Sequence, residues 1–425
     1  RSPALLSKLQ KKEADPDLAL QIENEQTSTI HSLQQIDSEI KIIMRYRLVL
    51  NALVIIAPTK HLEQIEKLES IEQVELPQNF DQPKAVSTGI ATAKANLNEM
   101  NSALFIGAGA ARAKNILGQK IKVGVIDTGI DYTHTMLGGG SIGYKSVDPN
   151  VSNSGFPNQK VVGGFDFAGS TFNPPSPRFA DRIPKPDANP LDESGHGTHV
   201  AGTIAGTGDG LNTYDGVAPQ SLLYALKVFG ANGSTSEEVV IAALEYSADP
   251  NQDGDLSDHL DVVNLSLGAA YGSPKDVYNT AIRNLALGGT LVVVAAGNSG
   301  NKPNIVASPG GADEGLCVAA SVDGMDHNWK FPAVTFTLPD TTVLQAQATE
   351  GSLTKPIAEL GDDSKTSSGE LVYIGLANQD LNEEQKSALK GKVALIDRGL
   401  VTFAEKLKRA ESAGAMGVVM VNNKK

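Results

Sequence analysis

Between about residues 98 and 330 the chain repeats one local grammar. A short apolar run stops at Gly, Asp or Asn, and a helical stretch follows. The runs predict strands at Ile121–Ile126, Ser221–Val228, Val262–Leu267, Leu291–Ala295 and Gly315–Ala320. Helices are expected at His199–Ala205, Ser236–Ser247 and Lys275–Leu287. Strands that are apolar throughout, rather than alternating, must be covered on both faces. A parallel sheet wrapped by crossover helices provides that cover. The predicted fold class is therefore α/β, a doubly wound parallel sheet. Such sheets bind ligands outside the carboxyl ends of their strands, and Asp127 and Asn298 fall at such ends.

The flanks read differently. Residues 1–39 form a polar lead, rich in Glu, Gln and Lys. Residues 40–78 read as a small α+β unit. Tyr46–Ala57 has the content of a strand pair, and Pro58–Ser70 places Leu62, Ile65 and Leu68 at helical spacing. Ile71–Leu76 alternates like a strand. Residues 79–114 are expected to be a linker and the start of the next region, 115–330 the main domain, and 331–425 a strand-rich domain. That last part carries one predicted helix, Phe403–Gly414, between strands Lys392–Ile396 and Gly417–Val421. The chain opens on Arg1 and stops four residues after its last predicted strand, so we expect the N-terminal piece of a longer precursor.

Composition excludes several function classes. Lys and Arg total 36 against 49 Asp and Glu, a net charge of −13. That balance argues against a nucleic-acid partner and against an anionic membrane surface. A membrane helix needs about 18 apolar residues. The longest candidate, Leu48–Ala57, is shorter and broken by Asn51, so no membrane span is expected in this chain. The single cysteine, Cys317, rules out an internal disulfide framework; its apolar run predicts a core position.

Three segments carry chemistry. VGVIDTGID delivers Asp127 at a strand end, SGHGTHVAGTIAG places His196 between Gly195 and Gly197 at a helix start, and VVVAAGNSG brings Asn298 onto a tight turn. A buried aspartate kept ionised by hydrogen bonds can orient an imidazole and stabilise its protonated form. A histidine titrating near neutrality is suited to act as general base for a hydroxyl nucleophile. A rigidly held asparagine amide can stabilise an oxyanion. Alone, Asp127 would read as a turn or cap residue, His196 as a loop histidine and Asn298 as a left-handed turn residue. Together the catalytic reading is the stronger. His134 and His199 are expected to be structural. Ser299 adjoins the amide donor rather than facing the base, and is not read as the nucleophile.

Two further signals bear on ligands. Asp249, Asn251, Asp253 and Asp255 alternate along DPNQDGDLSD with Gly254 at the sixth position, a spacing that suits Ca²⁺. Position twelve is Leu260 rather than a bidentate Glu, so the competing reading is a solvated acidic turn. No cofactor is required for the chemistry; calcium is the one candidate ion. Gly107-Ala108-Gly109, with Asp127 some 20 residues on, imitates a dinucleotide fingerprint. Arg112 stands where the third glycine belongs, and an oxidoreductase reading leaves HGTH and AAGN unexplained.

VIDTGID, GHGTHVAGT and AAGNSG resemble the three conserved blocks of the subtilisin-like serine proteases, and the similarity runs through most of 115–325. The resemblance implies a subtilisin-like sheet, with Asp127 as triad acid, His196 as triad base and Asn298 as oxyanion donor. It implies that Leu265, Ser266, Leu267 and Gly268 form a substrate-pairing edge strand, and that Ala295, Ala296 and Gly297 form one wall of the S1 pocket. Residues 40–78 are similar to the family's propeptide, a ferredoxin-like inhibitor and folding aid. Residues 345–425 are similar to a protease-associated domain, through GKVALIDRG and FAEKLKRAESAGAMGVVMVNN. The implied function is a secreted, extracellular serine endopeptidase acting on protein or peptide substrates, with its own propeptide as intramolecular inhibitor. Any signal peptide is expected to lie outside these residues. No segment resembles the family's Gly-Thr-Ser-Met-Ala-x-Pro nucleophile block. The expectation is that these 425 residues alone are inactive. The alternative is a non-catalytic peptide-binding pseudoprotease.

Overall fold

A computed structural model describes residues 3–8, 16–81, 102–140, 143–153, 155–208, 215–269, 271–273, 276–299, 304–321, 333–347 and 368–421. Most of the expected linker (82–101) and part of the C-terminal region (348–367) lie outside the described residues. The rest divides into two compact units, one running to residue 321 and one beginning at 333.

The first unit begins with helix α1 (Pro16–Ile36), the antiparallel pair β1 (Lys41–Tyr46) and β2 (Ala52–Ile56), and the short α2 (Leu62–Glu66). The polar composition of residues 1–39 concealed a buried stripe: Leu18, Ile22 and Leu33 are buried. Buried Gln26 donates to the Tyr46 carbonyl at 2.7 Å and to Asn51 Oδ1 at 2.9 Å, so a polar side chain here serves packing. The α+β unit therefore extends back through α1. Ile71–Leu76 forms no strand: Leu76 is 90% exposed, and the Ile71 N–H turns back to the Leu68 carbonyl. The strand comes three residues later, β3 (Asn79–Asp81), where an edge is available to pair with it.

After helices α3 (Ser102–Phe105) and α4 (Ala108–Ala113) the alternation predicted from sequence is built. Its elements are β4 (Lys122–Asp127), β5 (Val161–Asp166), α5 (His196–Ala205), β6 (Leu222–Lys227), β7 (Ser234–Ser236), α6 (Glu237–Ala248), β8 (Val262–Leu265), α7 (Val277–Gly288), β9 (Leu291–Ala295) and β10 (Leu316–Val318). Six of these strands make one parallel sheet in the order β10-β9-β8-β4-β6-β5. One face packs on α6 and α7 through residues such as Val240, Leu244, Ile282 and Leu285. The other packs Val123, Val125 and Leu223 against Ala201 and Ala205 of α5. Strand β5 was not expected, because Gly163 and Gly164 dilute its apolar signal. Cys317 is exposed rather than core: β10 is the edge strand, and Leu316 and Val318 are 52% and 49% exposed beside it.

The β3 strand lies antiparallel on β7, with Phe80 opposite Thr235. Phe80 is 2% exposed and meets the Tyr278 ring edge-on, with centroids 5.4 Å apart.

The second unit contains a hairpin, β11 (Ala333–Thr337) with β12 (Val343–Gln347), and a parallel sheet of β13 (Leu371–Tyr373), β14 (Val393–Asp397) and β15 (Gly417–Val421). Helices α8 (Glu383–Leu389) and α9 (Phe403–Ser412) accompany that sheet. The β14-α9-β15 crossover agrees with the sequence reading. A second helix, α8, was missed: it is short, and its signal is the capping box of Asn382 with Gln385.

Candidate active site

The carboxyl ends of β4, β8 and β9 lie side by side, because the three strands are parallel neighbours. Asp127 ends β4 and is fully buried. His196 is the first residue of α5 and is half-buried. Its Nδ1 lies 2.7 Å from Asp127 Oδ1, which also accepts the Thr128 N–H at 2.7 Å.

Glycines make this approach possible. Gly195, at the N-cap, has φ +100, a left-handed conformation that side chains disfavour. A Cβ on Gly197 would stand 2.2 Å from the Gly129 carbonyl oxygen. With no Cβ, the Gly197 N–H reaches Thr128 Oγ1 at 2.8 Å, joining the start of α5 to the turn after β4.

The pair shapes its own electrostatics. The Asp127 hydrogen bond and charge raise the His196 pKa above its ordinary 6.5, against the opposing effect of burial, and Asp192 adds to the rise. Burial pushes Asp127 up, opposed by His196 and by the Thr128 N–H. Because the folded pKa of His196 is raised, its stabilising contribution is complete below about pH 6.5 and is lost as pH rises through the folded value. We expect the His196 imidazole of the folded chain to titrate above 6.5, as followed by NMR of its ring nitrogens across pH 5 to 9. A midpoint below 6.5 would refute this ionisation scheme. Neutral His196 is the proton acceptor, so any chemistry using it as base is favoured as pH rises through the same value.

Asn298 follows β9 on the same edge of the sheet and is exposed. Gly297 before it has φ +99, and its position is closed by Ala307, whose Cβ would lie 2.9 Å from an added one. Ala296 is tied on both sides, its N–H to Val318 O at 2.9 Å and its carbonyl to Ala307 N at 3.1 Å. Ala295 is the last residue of β9. Leu265 does not lie on an edge strand: it is fully buried in β8, paired between Ile126 and Val294. Leu267 is also buried, while Ser266 is partly exposed. Gly268 leads into an antiparallel bridge between Ala269 and Ser308.

Lys227 was not anticipated. It ends β6 in register with Asp127 and is 1% exposed, with its ammonium 2.9 Å from Asp166 and 2.8 Å from Glu193. Burial lowers its pKa, but the two carboxylates outweigh that and raise it. A lysine closing an apolar strand was the available signal. His199 and His134 are both exposed, and neither is packed in a core; His134 Nδ1 caps a short turn by accepting the Met136 N–H at 3.2 Å.

The acidic loop is occupied with itself. Asp249 Oδ2 accepts the Gly254 N–H, Asn251 and Asp253 bond to each other, and Asp253 and Asp255 accept the N–H groups of Asp255 and Ser257. Among the described residues no group of three or more His, Cys, Asp or Glu side chains is arranged to hold a metal. Among the described residues, Asp249 Oδ1 and Asp258 Oδ1 are buried without a hydrogen-bond partner.

A doubly covered parallel sheet with a buried aspartate bonded to a histidine at its carboxyl edge defines an α/β protein with an acid–base site. The chain belongs to the subtilase family, whose Peptidase S8 model matches residues 118–406. It is 33% identical to the minor extracellular protease Vpr of Bacillus subtilis (strain 168), over 76% of this chain and 34% of that protein. It is 33% identical to subtilisin DY of Bacillus licheniformis, over 54% of this chain and 66% of that protein. It is 31% identical to a PII-type proteinase of Lactococcus lactis subsp. cremoris, over 72% of this chain and 16% of that protein. The chain thus spans about a third of the Vpr length and a sixth of the proteinase length.

Proposed function

We propose that the chain carries the acid, the base and the oxyanion donor of a secreted serine endopeptidase. The observation that carries this reading is the 2.7 Å contact between His196 Nδ1 and buried Asp127. With Nδ1 held by the carboxylate, Nε2 is the nitrogen left to accept a proton. In the mechanism that follows, His196 takes the proton of a serine hydroxyl as it attacks the scissile carbonyl. Asp127 holds the tautomer and stabilises the imidazolium, and the Asn298 amide stabilises the tetrahedral oxyanion. His196 then protonates the leaving amine, and water releases the acyl group. Protein or peptide substrates would lie along Ser266–Gly268 and the Ala295–Gly297 wall. The nucleophile is proposed to come from outside these 425 residues, which contain no Gly-Thr-Ser-Met-Ala-x-Pro-like block.

A fluorophosphonate probe tests this directly. The full-length gene product should be labelled on one serine, and H196A should lose labelling. A wild-type protein that hydrolyses no casein and takes no label would be the peptide-binding alternative. No helix among the described residues is long and apolar enough to cross a membrane. Secretion is proposed from the likeness to an extracellular relative.

We also propose that residues 16–81 act as the intramolecular inhibitor. Glu245 of α6 accepts the backbone N–H groups of Arg47, Leu48 and Val49 at 2.5, 2.8 and 2.8 Å. The Tyr46 hydroxyl donates to the Glu238 carbonyl, and Asn284 donates to the Val49 carbonyl. The β3–β7 ladder then adds a strand in the manner of a bound peptide. Burial pushes the Glu245 carboxyl up to about 7 against the pull of these three N–H groups, and each hydrogen bond to its ionised form contributes about 1.5–3 kcal/mol. We expect E245A to weaken inhibition by residues 1–81 added in trans at least about tenfold, or roughly 1.4 kcal/mol. An unchanged inhibition constant would remove Glu245 from the contact.

The second unit is proposed as a protease-associated domain, on the likeness of residues 345–425. Calcium at the Asp249–Asp258 loop is proposed on the unpartnered Asp249 and Asp258 oxygens alone. A thermal midpoint that rises with millimolar CaCl₂, and no longer does so in D249N, would establish it; no rise would dismiss it.

A further inference from the structure

Asp192 lies four residues before His196 and is 2% exposed. Its Oδ1 accepts the Ser194 and Gly195 N–H groups at 2.8 and 2.9 Å. Its Oδ2 accepts the Thr198 N–H at 2.9 Å and the Thr198 hydroxyl at 2.6 Å. One carboxylate therefore grips the chain on both sides of His196. The Thr198 hydroxyl in turn accepts the Asp131 N–H at 2.8 Å, so the grip continues into the turn that follows Asp127.

The chemistry of this clasp requires a carboxylate. All four groups facing Asp192 are donors, and an ionised carboxylate offers only acceptors. An asparagine would satisfy one pair and turn its own NH₂ towards the other. The charge has a consequence beyond geometry. The groups that act on the His196 imidazole are Asp127 from β4, first by its hydrogen bond and then by its charge, and Asp192 from the turn before α5. A buried negative charge beside an imidazole favours its protonated form.

We propose that Asp192 is a positioning residue for His196: it fixes the imidazole against Asp127 and, by its charge, favours the imidazolium formed when His196 accepts a proton. The proposal rests on the reading of His196 as general base.

The test is an NMR titration of the His196 ring nitrogens in the whole chain, for wild type, D192N, D192E and T198V. D192N should lower the His196 midpoint. T198V, which loses hydrogen bonds but keeps the charge, should leave it in place, and D192E should restore much of what D192N loses. An unchanged midpoint in folded D192N overturns the proposal. So does an equal fall in D192N and T198V, which would reduce Asp192 to a structural clasp. Should D192N fail to fold, the wild type decides: the Asp192 carboxyl ¹³C shift must show a step at the His196 midpoint, and its absence overturns the proposal. The readout needs no proteolysis. A shifted midpoint in a protein that cleaves nothing would remove the proposed function and leave the positioning role standing.

Discussion

Replacing His196 by alanine is expected to lower kcat of the full-length gene product by on the order of 10⁴-fold or more. That size is carried over from subtilisin, a relative whose triad has been dissected in this way; the distances in this site do not set it. What the structure adds is the cost to stability. Asp127 is fully buried, and one of its oxygens, Oδ2, has no hydrogen-bond partner. Removing His196 leaves its carboxylate, among the described residues, with the Thr128 N–H alone. An unpaired buried charge costs about 3–5 kcal/mol unless it takes up a proton or water. H196A should therefore melt earlier than wild type, and rates must be compared at a temperature where both proteins are folded. A folded H196A with wild-type kcat would end the assignment of His196 as base.

The second large effect is expected at Asn298, with the opposite stability signature. Its side chain is exposed, and among the described residues no buried group is bonded to it as Asp127 is to His196. Surface substitutions of this kind change stability by about 0.5 kcal/mol or less. N298A should therefore keep its melting temperature and its KM while kcat falls roughly 10²–10³-fold, again a size known from subtilisin's own oxyanion asparagine. The separation is what makes the variant informative. An amide that stabilises charge only in the transition state affects kcat and kcat/KM equally. A change confined to KM would make Asn298 a ground-state binding residue and leave the oxyanion without its donor.

Much of the site was legible because its residues are reported by their immediate neighbours. Asp127 closes an apolar run, His196 stands between two glycines, and Asn298 follows a small-residue turn. Each of those local patterns was built where expected, and β4, β9, α5, α6 and α7 fall within a few residues of their predicted bounds. The failures have a common cause. Leu265 was placed on an edge by the family resemblance and Cys317 in the core by its apolar run, but edge and interior are properties of strand order. Order places β8 between β4 and β9, and β10 outermost. Strand β5 was hidden by its glycines, and β3 by a segment too short to show periodicity.

Sequence by itself determined the class of sheet, the family, and which three side chains are candidates for its chemistry, because each depends on local order along the chain. Tertiary structure alone decided that Asp127 and His196, 69 residues apart, meet at 2.7 Å. It decided that Asp192 holds four donors around the histidine turn, and that Glu245 receives three backbone groups from almost 200 residues away. Those contacts arise from how parallel strands line up their carboxyl ends and from which helices cover them. A hydrogen bond between distant residues leaves no periodicity in either segment, so only the packed chain brings donor and acceptor together.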